Sequence, residues 1–324
     1  MKKVFMCCML MVLLAMTAVL GGCGGQDNAA GEKAGKGRVV RIGVVPLPHY
    51  ADAWIAYKKG FLAEELQKSG YELDWHTIAL GPVVSEAFAA GEIDMGVMGD
   101  FPAFIGRSAG TEFCITSVAS TAPEALALIV RPDSPVKSMA DLKGKKVATT
   151  KAAYGQKLLA LLVEQAGMKM EDISFISLSM PDLAAALARG DIDAGVVWDP
   201  ILTKLESSGE ARVVADGTGL YDAYAVWMAT DELAKNDMEA VRAVMRARKK
   251  GVEYMQEHPE EASSLLLEEI NLPSEQFAVM LKKFSYEQEM TDKFYQDMQD
   301  TENFMYSNGL LKGKVDVNAF IVKP

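Results

Sequence analysis

The spacing of apolar residues changes period several times along the chain. Val39 to Val45 is a run of strand type, and helical spacing follows across Ala51 to Gln67. Glu72 to Leu80 predicts a strand and Pro82 to Ala90 a helix. Lys146 to Thr150, Ile173 to Leu178 and Arg212 to Ala215 predict further strands, with a helix over Tyr154 to Ala166. Strands alternating with helices argue for an α/β protein built on mostly parallel sheets. From Asp231 onward the pattern is almost purely helical, with Met, Leu and Phe at helical spacings.

An internal repeat divides this pattern in two. Ala87 to Asp100 reads AFAAGEIDMGVMGD, and Ala186 to Asp199, 99 positions later, reads ALARGDIDAGVVWD. Eight of the fourteen positions are identical, a density that chance does not give at one fixed offset. The period is too long for a solenoid and predicts two lobes that share a βαβ unit. In each copy an alanine-rich helix should end at Gly91 or Gly190, where a left-handed residue is wanted. A short buried strand then ends at Asp100-Phe101-Pro102 or Asp199-Pro200. Aspartate caps helices and proline suits a first turn, so each strand should run straight into a new helix. In open α/β sheets ligands bind beyond the carboxyl ends of the strands, so two such lobes facing each other would make a cleft. The helical tail is expected to pack on the first lobe.

The amino terminus adds a compartment. Lys2 and Lys3 precede an uncharged run from Val4 to Leu20, and Leu20-Gly21-Gly22-Cys23 closes it. This has the parts of a secretory signal over residues 1–22, and its ending resembles a bacterial lipoprotein box with Cys23 as the lipidated residue. An uncleaved membrane helix is the alternative, since the run is only a little short of spanning length. Residues 24–37 are small and polar and read as a flexible tether, reaching about 20 Å as a coil. Beyond the signal, 31 basic residues face 44 acidic ones, a net of −13. That balance argues against nucleic acid or anionic lipid as a partner. Past Cys23 only Cys114 remains, within an apolar run, so no disulfide forms within the mature chain and a buried thiol is expected.

Residues that could carry chemistry are few. His49, His76 and His258 have no metal-ligand spacing, and the sequence holds no phosphate loop, no His-Glu-x-x-His and no Gly-x-Ser-x-Gly elbow. Neither a cofactor nor a metal is called for, and the Met-rich tail reads as core filling.

Gly99-Asp100-Phe101-Pro102, Asp141-Leu142-Lys143-Gly144-Lys145-Lys146-Val147 with Thr150-Lys151, and Trp198-Asp199-Pro200 occur together in one order. In this the chain resembles the aliphatic-sulfonate/nitrate/taurine-type substrate-binding proteins of ABC importers, over residues 40 to 225. The resemblance implies a two-lobed type II periplasmic-binding-protein fold, each lobe a mostly parallel sheet with flanking helices. Lobe 1 would take residues 38–128 and 218–324 and lobe 2 residues 129–217, with crossovers near Leu126 to Arg131 and Val214 to Tyr224. It places Pro48, His49, Tyr50, Gly81, Pro82, Asp100 and Phe101 on the first wall of the cleft. The second wall would carry Thr150, Lys151, Ala152, Ala153, Tyr154, Trp198 and Asp199. After Thr150-Lys151 the family commonly shows Gly-Ser-Ser or Gly-Ser-Thr, whereas this chain has Ala152-Ala153-Tyr154. Backbone donors and the helix dipole remain, and side-chain hydroxyls are lost.

Plainer roles stand beside these. Asp100 and Asp199 could simply cap helices or could also receive an amine or hydroxyl of the ligand. Trp198 could be core or could stack on ligand, and Lys151 could be a solvated charge. No arginine is among the expected cleft residues, while five rings are, which suits a small solute with an anionic or strongly polar end and an apolar or planar body. The expected protein is a monomeric, lipid-anchored, extracytoplasmic binding protein, with a small molecule and an ABC permease as partners. An enzyme on the same fold acting on a pyrimidine precursor and a ligand sensor for a membrane receptor are the rivals.

Overall fold

The computed structural model describes residues 38 to 270 and 272 to 324; the signal, Cys23 and the tether expected up to residue 37 lie outside the described residues. The chain starts with β1 (Arg38–Val44), whose Val40, Ile42 and Val44 are buried on one face. β2 (Tyr71–Thr77), β3 (Met95–Gly99) and β4 (Phe113–Ser120) complete the first part of a sheet. β5 (Leu126–Val130), β6 (Lys146–Thr149), β7 (Ser174–Ser177), β8 (Ala194–Trp198) and β9 (Arg212–Asp216) build a second sheet, and β10 (Ala225–Thr230) returns to the first. The strand orders are β2-β1-β3-β10-β4 and β7-β6-β8-β5-β9. In each sheet four strands point one way and one is reversed: β10 runs antiparallel to β3 and β4, and β5 antiparallel to β8 and β9. The reversed strand of each sheet is the one the chain enters on crossing from the other lobe.

The first crossover differs from the expectation. Leu126–Val130 is not a connection but β5, buried along its whole length in the second sheet. Its sequence LALIV is apolar throughout because it lies centrally, covered on both faces. The boundary expected at residue 128 thus falls inside a strand; the chain crosses over 121–125 and returns over 217–224, since Val214 is still within β9.

Both copies of the repeat fold alike. Helices Gly81–Ala89 and Met180–Arg189 are followed by Gly91 and Gly190, with φ of 69° and 78°. In this region a Cβ costs roughly 1–2 kcal/mol, which is the reason for glycine. The next aspartate performs one task twice. Asp94 Oδ2 accepts from the Arg41 amide, and Asp193 Oδ2 from the Lys146 amide, both at 2.9 Å. Each carboxylate thereby ties the turn before one strand to its parallel neighbour.

The span Ala51 to Gln67 is two helices, Ala51–Lys58 and Phe61–Lys68, because Gly60 takes a φ of 77° between them. The tail packs on lobe 1: Val241, Val244, Phe277, Phe294 and Phe320 share one core with Ile42, Val97 and Phe104. Helix Met238–Glu257 is pinned there by Arg248, fully buried, whose guanidinium donates to Asp52 Oδ2 (2.9 Å), Ser117 Oγ (3.0 Å) and the Val118 and Ala119 carbonyls. An ion pair this deep is held together by those extra hydrogen bonds, and removing one partner of such a pair typically costs about 3–5 kcal/mol. In lobe 2, Leu158 and Leu162 cover one face of the sheet and Leu183 and Leu202 the other. Cys114 is buried and unbridged among the described residues, and its thiol is pushed up to about 12 by burial, in keeping with an inert role.

Candidate functional site

The repeated strands β3 and β8 both end in the cleft, each at a fully buried aspartate. Asp100 opens helix Asp100–Ser108, and its Oδ1 accepts from the Phe101 amide at 2.8 Å. Asp199 stands before helix Ile201–Ser207, and its Oδ1 accepts from the Thr203 amide at 2.7 Å. Capping is therefore part of both roles, though neither residue is the formal N-cap.

Their remaining partners come from unexpected places. The Tyr221 hydroxyl, from the second crossover, lies 3.0 and 2.9 Å from the two Asp100 oxygens. Thr301 Oγ1, from the tail, is 3.4 Å from Asp100 Oδ2, and Lys157 Nζ of lobe 2 donates to that Thr301 hydroxyl at 2.5 Å. Burial pushes the Asp100 carboxyl up to about 6, against the pull of Lys157 and Tyr221. Burial likewise lowers the Lys157 ammonium, against the field of Asp100. Asp199 has a lysine as well. Lys283 Nζ from the tail is 3.6 Å from Asp199 Oδ2 and donates to Glu206 Oε2 (3.0 Å) and Thr203 Oγ1 (3.2 Å). Burial raises the Asp199 carboxyl, and Lys283 opposes the shift.

Tyr154 brings the two walls together. It is the first residue of helix Tyr154–Gln165 in lobe 2, and its ring stacks on His49 of lobe 1 at 5.9 Å and 9°. Its hydroxyl reaches the end of β3 and fills the space that a Cβ on Gly99 would need. Trp198 meets the same ring edge-on at 6.2 Å, and Phe284 of the tail meets His49 edge-on at 4.8 Å. The Tyr154 hydroxyl, His49 Nδ1 and Asp199 Oδ2 are buried in this cluster without a close hydrogen bond among the described residues, with Tyr50 neighbouring Tyr154 and Lys283 Nζ 3.6 Å from Asp199 Oδ2. Unpaired buried polar atoms are costly, and these lie together around one interlobe contact, a candidate seat for a polar ligand. Burial lowers His49 to about 4, so the ring is neutral, and it raises the Tyr154 hydroxyl well above its ordinary value.

The structure sorts the expected residues. Pro48, His49 and Tyr50 are buried beneath this seat, and the Tyr286 hydroxyl donates to the Pro48 carbonyl at 2.6 Å. Tyr154, Trp198, Asp100 and Asp199 surround it. Phe101 does not face it: the ring is fully buried in the lobe 1 core, 6.1 Å from Phe304 of the tail, because it follows Asp100 on a helix whose other side meets the tail. Gly81 abuts Pro102 and Met98, and Pro82 is exposed, so both sit at the rim. Thr150 spends its hydroxyl on the Leu178 carbonyl at 2.8 Å, and Lys151 is exposed. Ala152 adopts a φ of 58° with its amide donating to Gln156 Oε1 at 2.7 Å, and Ala153 is the N-cap of the Tyr154 helix. The loop thus keeps, at a cost of about 1–2 kcal/mol, a turn that suits glycine.

Lys157, Tyr221, Lys283, Phe284 and Thr301 were not expected in the site. Only Lys157 leaves a trace in the sequence, as a charge three residues after Tyr154 among the apolar positions of its helix. The others arrive from the crossover and the tail. A groove of about 1320 Å³ between the tail helices shares Phe284 as a wall but holds none of the paired carboxylates.

Fold and candidate seat together define the two-lobed α/β architecture of a periplasmic binding protein, with a cleft between the lobes. The chain belongs to the NMT1/THI5-like family, whose model matches residues 48–262. A putative aliphatic sulfonates-binding protein of Escherichia coli (strain K12) is 30% identical over 281 residues, covering 83% of this chain and 88% of that protein. The crystal structure of the periplasmic aliphatic sulphonate binding protein SsuA from Escherichia coli is similar with a TM-score of 0.82 and 28% identity, over 89% of this chain and 92% of that one. A 4-amino-5-hydroxymethyl-2-methylpyrimidine phosphate synthase, THI12 of Saccharomyces cerevisiae, is 26% identical over 233 residues, 67% of this chain and 66% of that protein.

The buried groups set opposite pH dependences. Asp100 is raised from 3.8 to about 6, so its contribution to stability is fully present below 3.8 and is lost as pH rises through about 6. His49 is depressed from 6.5 to about 4, so its contribution is present above 6.5 and is lost as pH falls through about 4. Relative to the parent, the melting temperature of Asp100→Asn should therefore improve as pH rises across that window, and that of His49→Gln should improve as pH falls. Calorimetric scans of the three proteins check this; profiles that stay parallel would refute the burial of both groups.

Proposed function

We propose that the chain is the extracytoplasmic solute-binding component of an ABC importer and that it captures an organic anion of the sulfonate type. The observation that carries this is the interlobe seat, where Tyr154 of one lobe is inserted between His49 and Gly99 of the other and leaves polar atoms unpaired. A ligand that satisfies those atoms favours the closed arrangement by its differential affinity for it, and a permease can read that shape. The sulfonate-binding relatives support the ligand class, and the start of helix Tyr154–Gln165 supplies free backbone donors and a favourable dipole for an anion. Tethering through lipidated Cys23 completes the reading and rests on the sequence of the amino terminus.

A pyrimidine phosphate synthase is among the chain's relatives, so an enzymatic role is the second reading. An export signal favours capture, because a position outside the cytoplasm does not suit biosynthesis of a cofactor precursor.

A thermal-shift panel of alkyl and aryl sulfonates, nitrate, and pyrimidine and thiazole derivatives tests the ligand class. A ligand present at 100 times its dissociation constant stabilises by about 2.7 kcal/mol. Sulfonates should give shifts of this order; a response to nitrate alone, or to pyrimidines with turnover, would contradict the proposal. Metabolic labelling with a fatty-acid analogue tests the anchor: the parent should take up label and Cys23→Ala should not, and equal label on both would exclude lipidation there.

A further inference from the structure

Between helix Ser274–Leu281 and helix Asp292–Ser307 the tail runs as a thin strap, and one of its side chains crosses to the other lobe. Residues 284 to 286 are fixed at three points. Phe284 meets His49 edge-on at 4.8 Å, the Tyr286 hydroxyl donates to the Pro48 carbonyl, and Ser285 exchanges two backbone hydrogen bonds with Thr121. The same three residues line the groove of about 1320 Å³ between the tail helices, so the strap is not packed on that side. Lys283 points away from the tail. Its ammonium donates to Glu206 Oε2 at 3.0 Å and to Thr203 Oγ1 at 3.2 Å, and 15% of its side chain is exposed. Both acceptors stand on helix Ile201–Ser207 of lobe 2, which follows β8 and Trp198, and helix Ser274–Leu281 lies against that same helix. The Thr203 amide in turn donates to Asp199 Oδ1 at 2.7 Å. One short run of chain thus touches His49 on one wall of the cleft and, through Thr203, the residue after Trp198 on the other.

Lys283 and its two acceptors belong to opposite lobes, so their contact lasts only while the lobes are together. Its free energy therefore separates the closed arrangement from the open one, and every ligand that needs the closed arrangement inherits it. We propose that Lys283 is a positioning residue for closure, a latch by which the tail holds helix Ile201–Ser207 against lobe 1 and scales the affinity for all solutes by one common factor. The inference goes beyond the proposed ligand class, since it rests on the lobes closing and not on which solute they close on.

Methanesulfonate and n-propanesulfonate serve as probes, with binding and release followed by tryptophan fluorescence. Lys283→Met should weaken both by about tenfold, the size of one charge-assisted hydrogen bond, with equal factors and mainly through faster dissociation. Glu206→Gln should weaken both as well, by a smaller factor. Adding it to Lys283→Met should cost nothing further, because the pair is a single contact. Lys283→Arg should recover most of the affinity. A lysine that instead touched the ligand would be indifferent to Glu206. Independent, multiplying losses in the double variant, unequal factors for the two probes, or parent-like affinity in Lys283→Met would overturn the latch. Circular dichroism verifies folding; if Lys283→Met does not fold, Glu206→Gln decides alone, and unchanged affinity and release there would overturn the proposal. If neither sulfonate binds the parent, the ligand class fails and the latch is judged without ligand. Small-angle X-ray scattering should then give a larger radius of gyration for Lys283→Met than for the parent, and equal radii would overturn it.

Discussion

Two buried aspartates, placed by one repeated strand ending, govern how this molecule is put together. The amide of Asp100 donates to the Tyr224 carbonyl at 3.1 Å, and that of Asp199 to the Ala125 carbonyl at 2.9 Å, so each holds the end of one crossover. Their side chains look the other way, into the cleft, where a charge without compensation would be costly. Lysines from the opposite lobe stand near both: Lys157 Nζ bonds Thr301 Oγ1 beside Asp100, and Lys283 Nζ lies 3.6 Å from Asp199 Oδ2. The crossovers and the interlobe contacts thus involve the same two residues. Lobes pulled apart would give these carboxylates water in place of lysine.

The tail takes part in this. Beyond packing on lobe 1, it carries a strap across the crossover: Thr121 and Ser285 exchange two backbone hydrogen bonds of 2.9 Å. Around that bridge Lys283 reaches lobe 2, Phe284 leans on His49 and Tyr286 holds Pro48. The tail is therefore part of the seat's wall, which its helical spacing alone does not suggest.

Local physics makes much of the fold legible. Gly91 and Gly190 end their helices with positive φ, as their place after an alanine-rich run implies, and the two fourteen-residue copies fold into matching helix-turn-strand units. The aromatic wall of His49, Tyr154 and Trp198 also comes from residues near strand ends. What the sequence misplaces has definite causes. Leu126–Val130 reads as a crossover because an all-apolar stretch carries no period to mark it as a central strand. Phe101 reads as a cleft residue because its neighbour is one, yet a step of one residue on a helix turns a side chain by about a quarter of a turn or more, here into the core. Lys283 and Thr301 are invisible because they lie more than eighty residues from Asp199 in one case and two hundred from Asp100 in the other, and only the fold joins them.

The central claim is that the ligand's place lies between Tyr154, His49 and Trp198, at the start of helix Tyr154–Gln165. A crystal structure of the protein with its best-binding sulfonate tests this directly. The account predicts the anionic oxygens within hydrogen-bonding distance of the amides around Ala153 and Tyr154, with the Tyr154 ring displaced or turned to donate its hydroxyl and the organic body against His49 and Trp198. Density for the ligand in the groove between the tail helices, with Tyr154 still stacked on His49, would contradict it.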